Sequence, residues 1–279
     1  MPNEMFLKEK EIPPFLKLTK EKIKEIVERK ILKIKEYFKK SSFQKAILGV
    51  SGGLDSSLSA LLTVKALGKN NVFLVFLPHS KITPSQNKFL IEKLAKNLNL
   101  TKKNLIEIEI GEIVEKEWQK LKKFSGKKEK LRKGNLIARE RMKILFDLSL
   151  AKEAIVVGSE NKTEYLLGYY TLWGDSASGI EPIKDLFKTE VYQIAKTQKE
   201  IPSQILKKAP SPDLWRGQKT EKELGLKIIE IDTILAAKER LALSEKQIEE
   251  KFKIKREKIE KVLKRIEIGK IKASLPKII

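Results

Sequence analysis

Hydrophobic positions along the chain follow two alternating patterns. From Thr19 to Lys40, residues Ile23, Ile26, Val27, Ile31, Ile34 and Phe38 recur at the spacing of one helix face, with lysines between them. Thr19 is placed to cap that helix. The run Ala46–Val50 is short and continuously apolar, as in a strand buried on both faces. The spacing then predicts a helix over Ser57–Leu67, a strand over Val72–Leu77, a helix over Ser85–Leu98 and a strand over Leu105–Ile110. Farther on it predicts a helix over Leu136–Lys152 capped by Asn135, a strand over Ala154–Val157 and a helix over Phe187–Lys199. Strands alternating with helices imply an α/β fold, a doubly wound, mostly parallel sheet flanked by helices. No repeat and no linker rich in Gly, Pro or Ser interrupts the pattern. One domain over 1–279 is expected, with a helical N-terminal extension over about 1–40 and a basic helical tail over about 245–279. Within it, Lys116–Lys133 holds nine basic and two acidic residues and is expected to be a solvated excursion. The end, Ala273–Pro276, is expected to pack on the body as a tail.

Composition narrows the chemistry. The 279 residues include no cysteine, which excludes a disulfide scaffold, a thiolate zinc site, an iron–sulfur cluster and a cysteine nucleophile. One histidine, His79, excludes a multi-histidine metal site and argues against a Ser-His-Asp triad. His79 itself reads as an ordinary loop residue at a strand end. No apolar run reaches the ~18 residues that a membrane span needs. Glu4, Lys8, Glu9 and Lys10 stand where a secretory signal would be apolar, so a cytoplasmic location is expected. The formal net charge of +22 admits a nucleic-acid partner, a polyanionic small substrate, or a lysine-rich composition of the heat-adapted or AT-rich kind.

The sharpest local signal is Ser51-Gly52-Gly53-Leu54-Asp55-Ser56-Ser57, between a buried strand and a helix. Glycines let the backbone approach a ligand, and N–H groups at the helix start favour an anion. Ser51 and Ser56 add hydroxyl donors, and Asp55 can hold Mg²⁺ beside phosphates. It is not a Walker loop, because no Gly-Lys-Ser/Thr follows. Set against an ordinary capped turn, the combination favours phosphate. It resembles the pyrophosphate loop of the N-type ATP pyrophosphatases, which split ATP between the α and β phosphates and adenylate an acceptor oxygen. Their sheet is of the adenine nucleotide alpha hydrolase type.

Within that superfamily the missing cysteines disfavour thiolating and glutamine-hydrolysing members. Further segments are similar to the ammonia-dependent NAD synthetases: Gly134-Asn135-Leu136-Ile137-Ala138-Arg139-Glu140-Arg141-Met142, then Gly158-Ser159-Glu160-Asn161-Lys162-Thr163-Glu164, then Leu167–Thr171 with Gly174-Asp175. Pro182 through Lys188-Thr189-Glu190-Val191, and Ala209 to Gln218, follow in the family's order, so the resemblance runs over about 20–276. It implies ATP-dependent amidation of deamido-NAD by ammonia through an acyl-adenylate, in a homodimer that takes small-molecule substrates and no nucleic acid. It further implies that Gly49, Val50, Ser51, Gly52, Gly53, Leu54, Asp55 and Ser56 wrap the ATP phosphates, with Ser159, Lys188 and Ser211 also on ATP. By the same resemblance Asp55 and Glu164 hold Mg²⁺ and act in catalysis with Lys188. Arg139, Asp175 and Lys272 meet deamido-NAD.

Read physically, Arg139 and Arg141 lie two apart on different helix faces: Arg141 beside the apolar stripe needs a buried partner, whereas Arg139 is free to meet an anion. Glu164 follows the C-terminal end of a parallel strand, where open α/β sheets place ligands. A lysine at a helix start, Lys188, is rationalised by an anionic partner. Trp173 and Trp215 suit core, interface or a ligand platform equally. Leu172 stands where the family has Lys, Gly179 where it has Asp, and Ile271-Lys272 where it has His-Lys, all on the acceptor side. The alternatives are therefore a paralogue amidating another carboxylate by the same ATP chemistry, with lysines such as Lys184 in reach, and a tRNA lysidine synthetase-type ligase.

Overall fold

The structure, a computed structural model, describes residues 7–124 and 126–276. Met1–Phe6 of the expected extension, Ser125 of the basic segment and Lys277–Ile279 of the expected tail lie outside the described residues. Strands β1 (Lys45–Gly49), β2 (Val72–Phe76), β3 (Leu105–Glu107) and β4 (Ala154–Val156) form one parallel sheet in the order β3-β2-β1-β4. Among the described residues twelve α-helices surround it: α1 (Lys20–Lys40), α2 (Leu54–Leu67), α3 (Gln86–Asn97), α4 (Gly111–Leu121), α5 (Glu129–Lys152), α6 (Lys162–Leu167), α7 (Lys188–Lys196), α8 (Ser203–Lys207), α9 (Thr220–Leu224), α10 (Ile228–Leu241), α11 (Glu245–Phe252) and α12 (Arg256–Ala273).

Each strand is apolar because each is covered twice. In β1, Ala46 and Leu48 enter the core beneath α1 and α2, while Ile47 enters a second core beneath α4 and α5. The chain steps outward from β1 to β2 to β3 and then returns, so β4 pairs with the other side of β1. The strand order reverses between β1 and β4, and the loops leaving their C-terminal ends face each other there. Open α/β sheets bind ligands at such a switch point. The expected fold class is the one observed.

Element boundaries agree with the periodicity to within a few residues, Thr19 included: its hydroxyl accepts from the Lys22 N–H at 3.2 Å. Two expectations about charged segments are corrected. Most of Lys116–Lys133 is helical rather than a solvated excursion, since α4 runs to Leu121 and α5 starts at Glu129. Val114 and Trp118 are buried one turn apart, and Arg132 lies over the Trp118 ring at 5.4 Å, so long basic side chains cover an apolar stripe. Asn135 is consequently not a cap but lies inside α5, where its Oδ1 accepts from Thr171 Oγ1 at 3.0 Å. The stretch Ala273–Pro276 is not packed on the body: Ser274–Pro276 are exposed, because Ala273 already closes α12 on the surface.

Helix α12 is held against α6 by close backbone approach. A Cβ on Gly269 would stand 2.2 Å from the Leu166 carbonyl oxygen and 3.0 Å from the Gly168 nitrogen. Helix propensity alone favours Ala over Gly by about 1 kcal/mol. Overpacking at this crossing outweighs it, so Gly269→Ala is expected to lower unfolding free energy by roughly 1–3 kcal/mol in urea denaturation. An unchanged or raised midpoint would show that the crossing is loose.

Candidate active site

The site is built from the two loops at the switch point. The loop after β1 turns through Gly52, whose φ of +69° is left-handed and whose missing Cβ would stand 3.1 Å from the Asn87 carbonyl oxygen. Only glycine combines that φ with that approach. Ser51 Oγ then accepts from the Gly53 N–H at 3.2 Å and lies 3.3 Å from Ser56 Oγ. Helix α2 begins at Leu54, so its first N–H groups point into the same cavity. With Gly52 excepted, every residue from Gly49 to Ser56 lines that cavity, together with Ser159, Glu164, Lys188 and Ser211. These expected ATP and metal residues are thus brought together from loops far apart in sequence.

Asn161 ties the two loops. Its side chain caps α6 by accepting from the Glu164 N–H at 3.0 Å, and its Nδ2 donates to Asp55 Oδ1 at 3.1 Å. Its own N–H donates to Glu164 Oε2 at 3.3 Å. Glu164 therefore sits in the first turn of α6, where burial first and the Asp55 charge second push its carboxyl well up. Lys188, the first residue of α7, forms an ion pair with Asp55. Burial works against its ammonium, yet Asp55 and Glu164 outweigh that and hold it above its usual value. Its position is fixed from behind: the Lys188 N–H donates to Thr163 Oγ1 at 2.9 Å, and the Thr189 N–H donates to buried Asp232 at 2.8 Å.

A strap after α8 crosses the cavity mouth. Lys208 Nζ reaches Asn87 Oδ1 at 3.1 Å and Asp213 at 3.2 Å, and Asn87 Nδ2 donates to Asp213 at 3.1 Å. The same Asn87 packs on Gly52, so the strap is latched beside the phosphate loop. Arg141 also lines the cavity and donates to the Leu77 carbonyl at 3.2 Å, with Asp213 and Asp175 as charge partners. This supplies the buried surroundings expected for Arg141.

The acceptor-side expectations divide. Asp175 lines the cavity and accepts from the Thr171 N–H at 2.8 Å; it is reached from the cavity, but the surrounding protein pushes its carboxyl up. Arg139 lies exposed outside the cavity. Lys272 is also outside: its ammonium donates to the Gly168 carbonyl at 2.7 Å and to that of Tyr170, tying α12 to the loop after α6. At Gly179 a Cβ would stand 2.5 Å from Ile155 Cγ2, so an aspartate does not fit the present backbone. Lys184 is already paired with Glu160 at 2.8 Å. His79 is fully buried away from the cavity, with Nε2 3.3 Å from Glu115.

Sequence reasoning missed Glu160, Glu181, Asp232, Asn161 and Asn87. Glu181 replaces an external partner for the loop after β4: its carboxylate accepts from the Glu160 N–H at 3.0 Å and from Ser178 Oγ at 2.8 Å. Its position one residue before Pro182 gave no sign of this, because the contact forms only when 180 lies beside 157.

No helix among the described residues is long and apolar enough to cross a membrane. The sequence model of the NAD synthase family matches residues 26–276. An NH(3)-dependent NAD(+) synthetase of Fusobacterium nucleatum is 37% identical over 259 residues, covering 91% of this chain and 95% of that protein. One from Wolinella succinogenes is 38% identical over 85% of this chain and 88% of its own length. Among solved structures, the NH3-dependent NAD synthetase of Campylobacter jejuni superposes with a TM-score of 0.72 at 31% identity, covering 92% and 98% of the two chains. The NMN synthetase of Francisella tularensis superposes with a TM-score of 0.73 at 28% identity over 91% and 94%.

Burial pushes the Glu181 carboxyl up to about 7, with Glu160 as a repelling neighbour. Between the unfolded value of 4.5 and about 7 the folded state therefore holds the extra proton. This group's contribution is greatest below that window, falls as pH rises through it and levels off above about 7. Glu181→Gln is expected to remove that share of the slope. Thermal midpoints of both proteins measured from pH 4.5 to pH 8 check it, and superimposable slopes would refute it.

Proposed function

The chain belongs to the NAD synthase family, and from that premise we propose that it amidates deamido-NAD with ammonia, using ATP as co-substrate and releasing AMP and pyrophosphate. The observation that carries the reading is the convergence of the phosphate loop, Ser159, Ser211 and the Asp55–Lys188 pair on one cavity. A carboxylate oxygen of the acceptor attacks the α-phosphorus, the bond to the bridging oxygen breaks, and pyrophosphate leaves with the electron pair. Backbone N–H groups at the start of α2 and the Lys188 ammonium face the charge that develops on it. Ammonia then attacks the acyl carbon, AMP departs and a proton is lost, giving the amide. Little covalent chemistry falls to the protein; holding the reactants in line carries the rate.

Asp55 and Glu164 fit a magnesium site. Mg²⁺ takes hard oxygen ligands and is commonly held by one or two carboxylates together with substrate phosphates. Among the described residues no cluster of three or more metal-ligating side chains exists, consistent with phosphate oxygens completing the set. When bound, the ion would neutralise phosphate charge. Asn161 and Lys188 hold the two carboxylates close in the meantime.

A homodimer is supported by the poorly covered side of the sheet. Helices α4 and α5 cover it, and α5 leaves Phe146 41% and Leu150 76% exposed, one turn apart on one face. Pairing Phe146→Glu with Leu150→Glu is expected to reduce the sedimenting mass from twice 32.0 kDa to 32.0 kDa. A wild-type protein already at the lower mass would remove the dimer from the proposal.

Purified protein with Mg·ATP, ammonium and deamido-NAD is expected to form NAD, AMP and pyrophosphate in equal amounts, and glutamine alone should not replace ammonium. Asp55→Asn should lower kcat by roughly 100-fold or more, since several kcal/mol of charge stabilisation are at stake. If neither deamido-NAD nor nicotinate mononucleotide is amidated while ATP still binds, the reading fails and a paralogue with another carboxylate acceptor takes its place.

A further inference from the structure

The loop after β4 turns one residue to the cavity and ties down the residues on either side of it. The Val157 N–H donates to the Ile47 carbonyl and the Gly158 N–H to the Ile180 carbonyl, both at 2.9 Å. Past the gap, the Glu160 N–H donates to Glu181 Oε2 at 3.0 Å and the Asn161 N–H to Glu164 Oε2 at 3.3 Å. Between them, the half-buried Ser159 has neither its N–H nor its hydroxyl bonded to another group among the described residues, and it lines the cavity. Backbone donors away from bulk water are nearly always paired, so an open N–H beside an open hydroxyl on a cavity wall is left for a ligand. Where those two donors point is decided by Gly158 and Glu160.

One side chain grips both neighbours. A Cβ on Gly158 would overlap the Glu181 carboxyl group, so that carboxyl lies flat against the Gly158 backbone. Its Oε2 holds the Glu160 N–H, and its Oε1 accepts from Ser178 Oγ at 2.8 Å. Glu181 is itself anchored. The bridge between 157 and 180 sets the residue before it, and buried Pro182 after it confines its backbone to extended conformations. Farther along the same segment Lys184 pairs with the buried Glu160 carboxylate at 2.8 Å, so Glu160 is held by its backbone and by its side chain.

We propose that Glu181 is a positioning residue for ATP: by clamping Gly158 and Glu160 it holds the Ser159 N–H and hydroxyl at the nucleotide. This rests on the reading under Proposed function, in which Ser159 meets ATP, and adds the group that sets Ser159 in place. Glu181 acts through Ser159 and touches neither substrate. The contact needs an acceptor oxygen against the Glu160 N–H and a second polar atom against Ser178, which an amide supplies as well as a carboxylate. Misplacing a binding group by about an ångström is enough to weaken binding severalfold or more.

The test is equilibrium titration with Mg·ATP in the absence of acceptor, joined to steady-state amidation. Glu181→Ala should raise Kd and KM for ATP by roughly 3- to 10-fold, with KM for deamido-NAD unchanged. Glu181→Asp, which withdraws the carboxylate by one methylene, should do the same and serves if the alanine variant does not fold. Glu181→Gln should restore most of the wild-type affinity. Ser159→Ala should also weaken ATP, and adding Glu181→Ala or Glu181→Asp to it should raise Kd by less than about 2-fold more, because the two residues act as one unit. An unchanged Kd in the alanine and aspartate variants overturns the proposal, as does a double variant whose losses are additive, since Glu181 would then act on the fold at large. Failure of the functional reading would look different: Ser159→Ala binding ATP like the wild type, or a wild type that binds ATP and amidates no acceptor.

Discussion

Two carboxylates cannot share a buried corner unless a cation joins them, and the fold is arranged around supplying that cation. Asp55 and Glu164 come from the loops after β1 and β4, and Lys188 comes from α7. A helix start is an unfavourable place for an ammonium, because the exposed N–H groups there carry partial positive charge. The position is nevertheless enforced, since Thr163 and Asp232 bind the first two N–H groups of α7 and Asp232 belongs to a third helix, α10. Buried ion pairs of this kind contribute little net stability, because desolvation offsets most of the attraction. Their retention is better explained by what the two carboxylates can hold than by what the pair adds to folding.

The same reasoning accounts for the packing behind the site. Parallel order β3-β2-β1-β4 places the β1 and β4 loops side by side, but only if both strands are sealed on both faces. The α1–α2 side is sealed within one chain, drawing in Leu16, Phe38, Phe187 and Tyr192. The α4–α5 side is thinner, and its Phe73, Ile144 and Leu148 are only partly buried. Asn87 joins the layers at the cavity rim, touching Gly52, Lys208 and Asp213 at once. The phosphate loop and the strap therefore share one anchor, and a shift in either is felt by the other.

What could be read from the chain was whatever is local. The phosphate loop was legible because its glycines, hydroxyls and carboxylate are contiguous and sit between a strand pattern and a helix pattern. Lys188 was legible as an oddity, a lysine where a helix start should repel it. Glu181, Asp232 and Asn87 were illegible, because each bonds a group 21 to 126 residues away. The basic stretch before α5 was misread for a related reason: charge counting ignores that Val114 and Trp118 fall on one face beneath the lysines. Lys272 was expected to meet substrate and instead ties α12 to the turn that follows α6, a role set by where the last helix lands.

Around Gly179 the chain is occupied by internal contacts. At 179 the backbone continues along β4, donating to the Val156 carbonyl at 2.8 Å, and Ile155 fills the space a side chain would need. Two residues later Glu181 turns back to bond the loop that carries Ser159 and Glu160. Glu160 in turn takes Lys184, whose ammonium also lies 4.4 Å from the Tyr165 ring. Glu181 thus orders the loop that carries Ser159, and the nearby Lys184 is committed to Glu160. Those charges are therefore engaged internally, while Arg139 of α5 stays exposed and Asp175 lines the cavity.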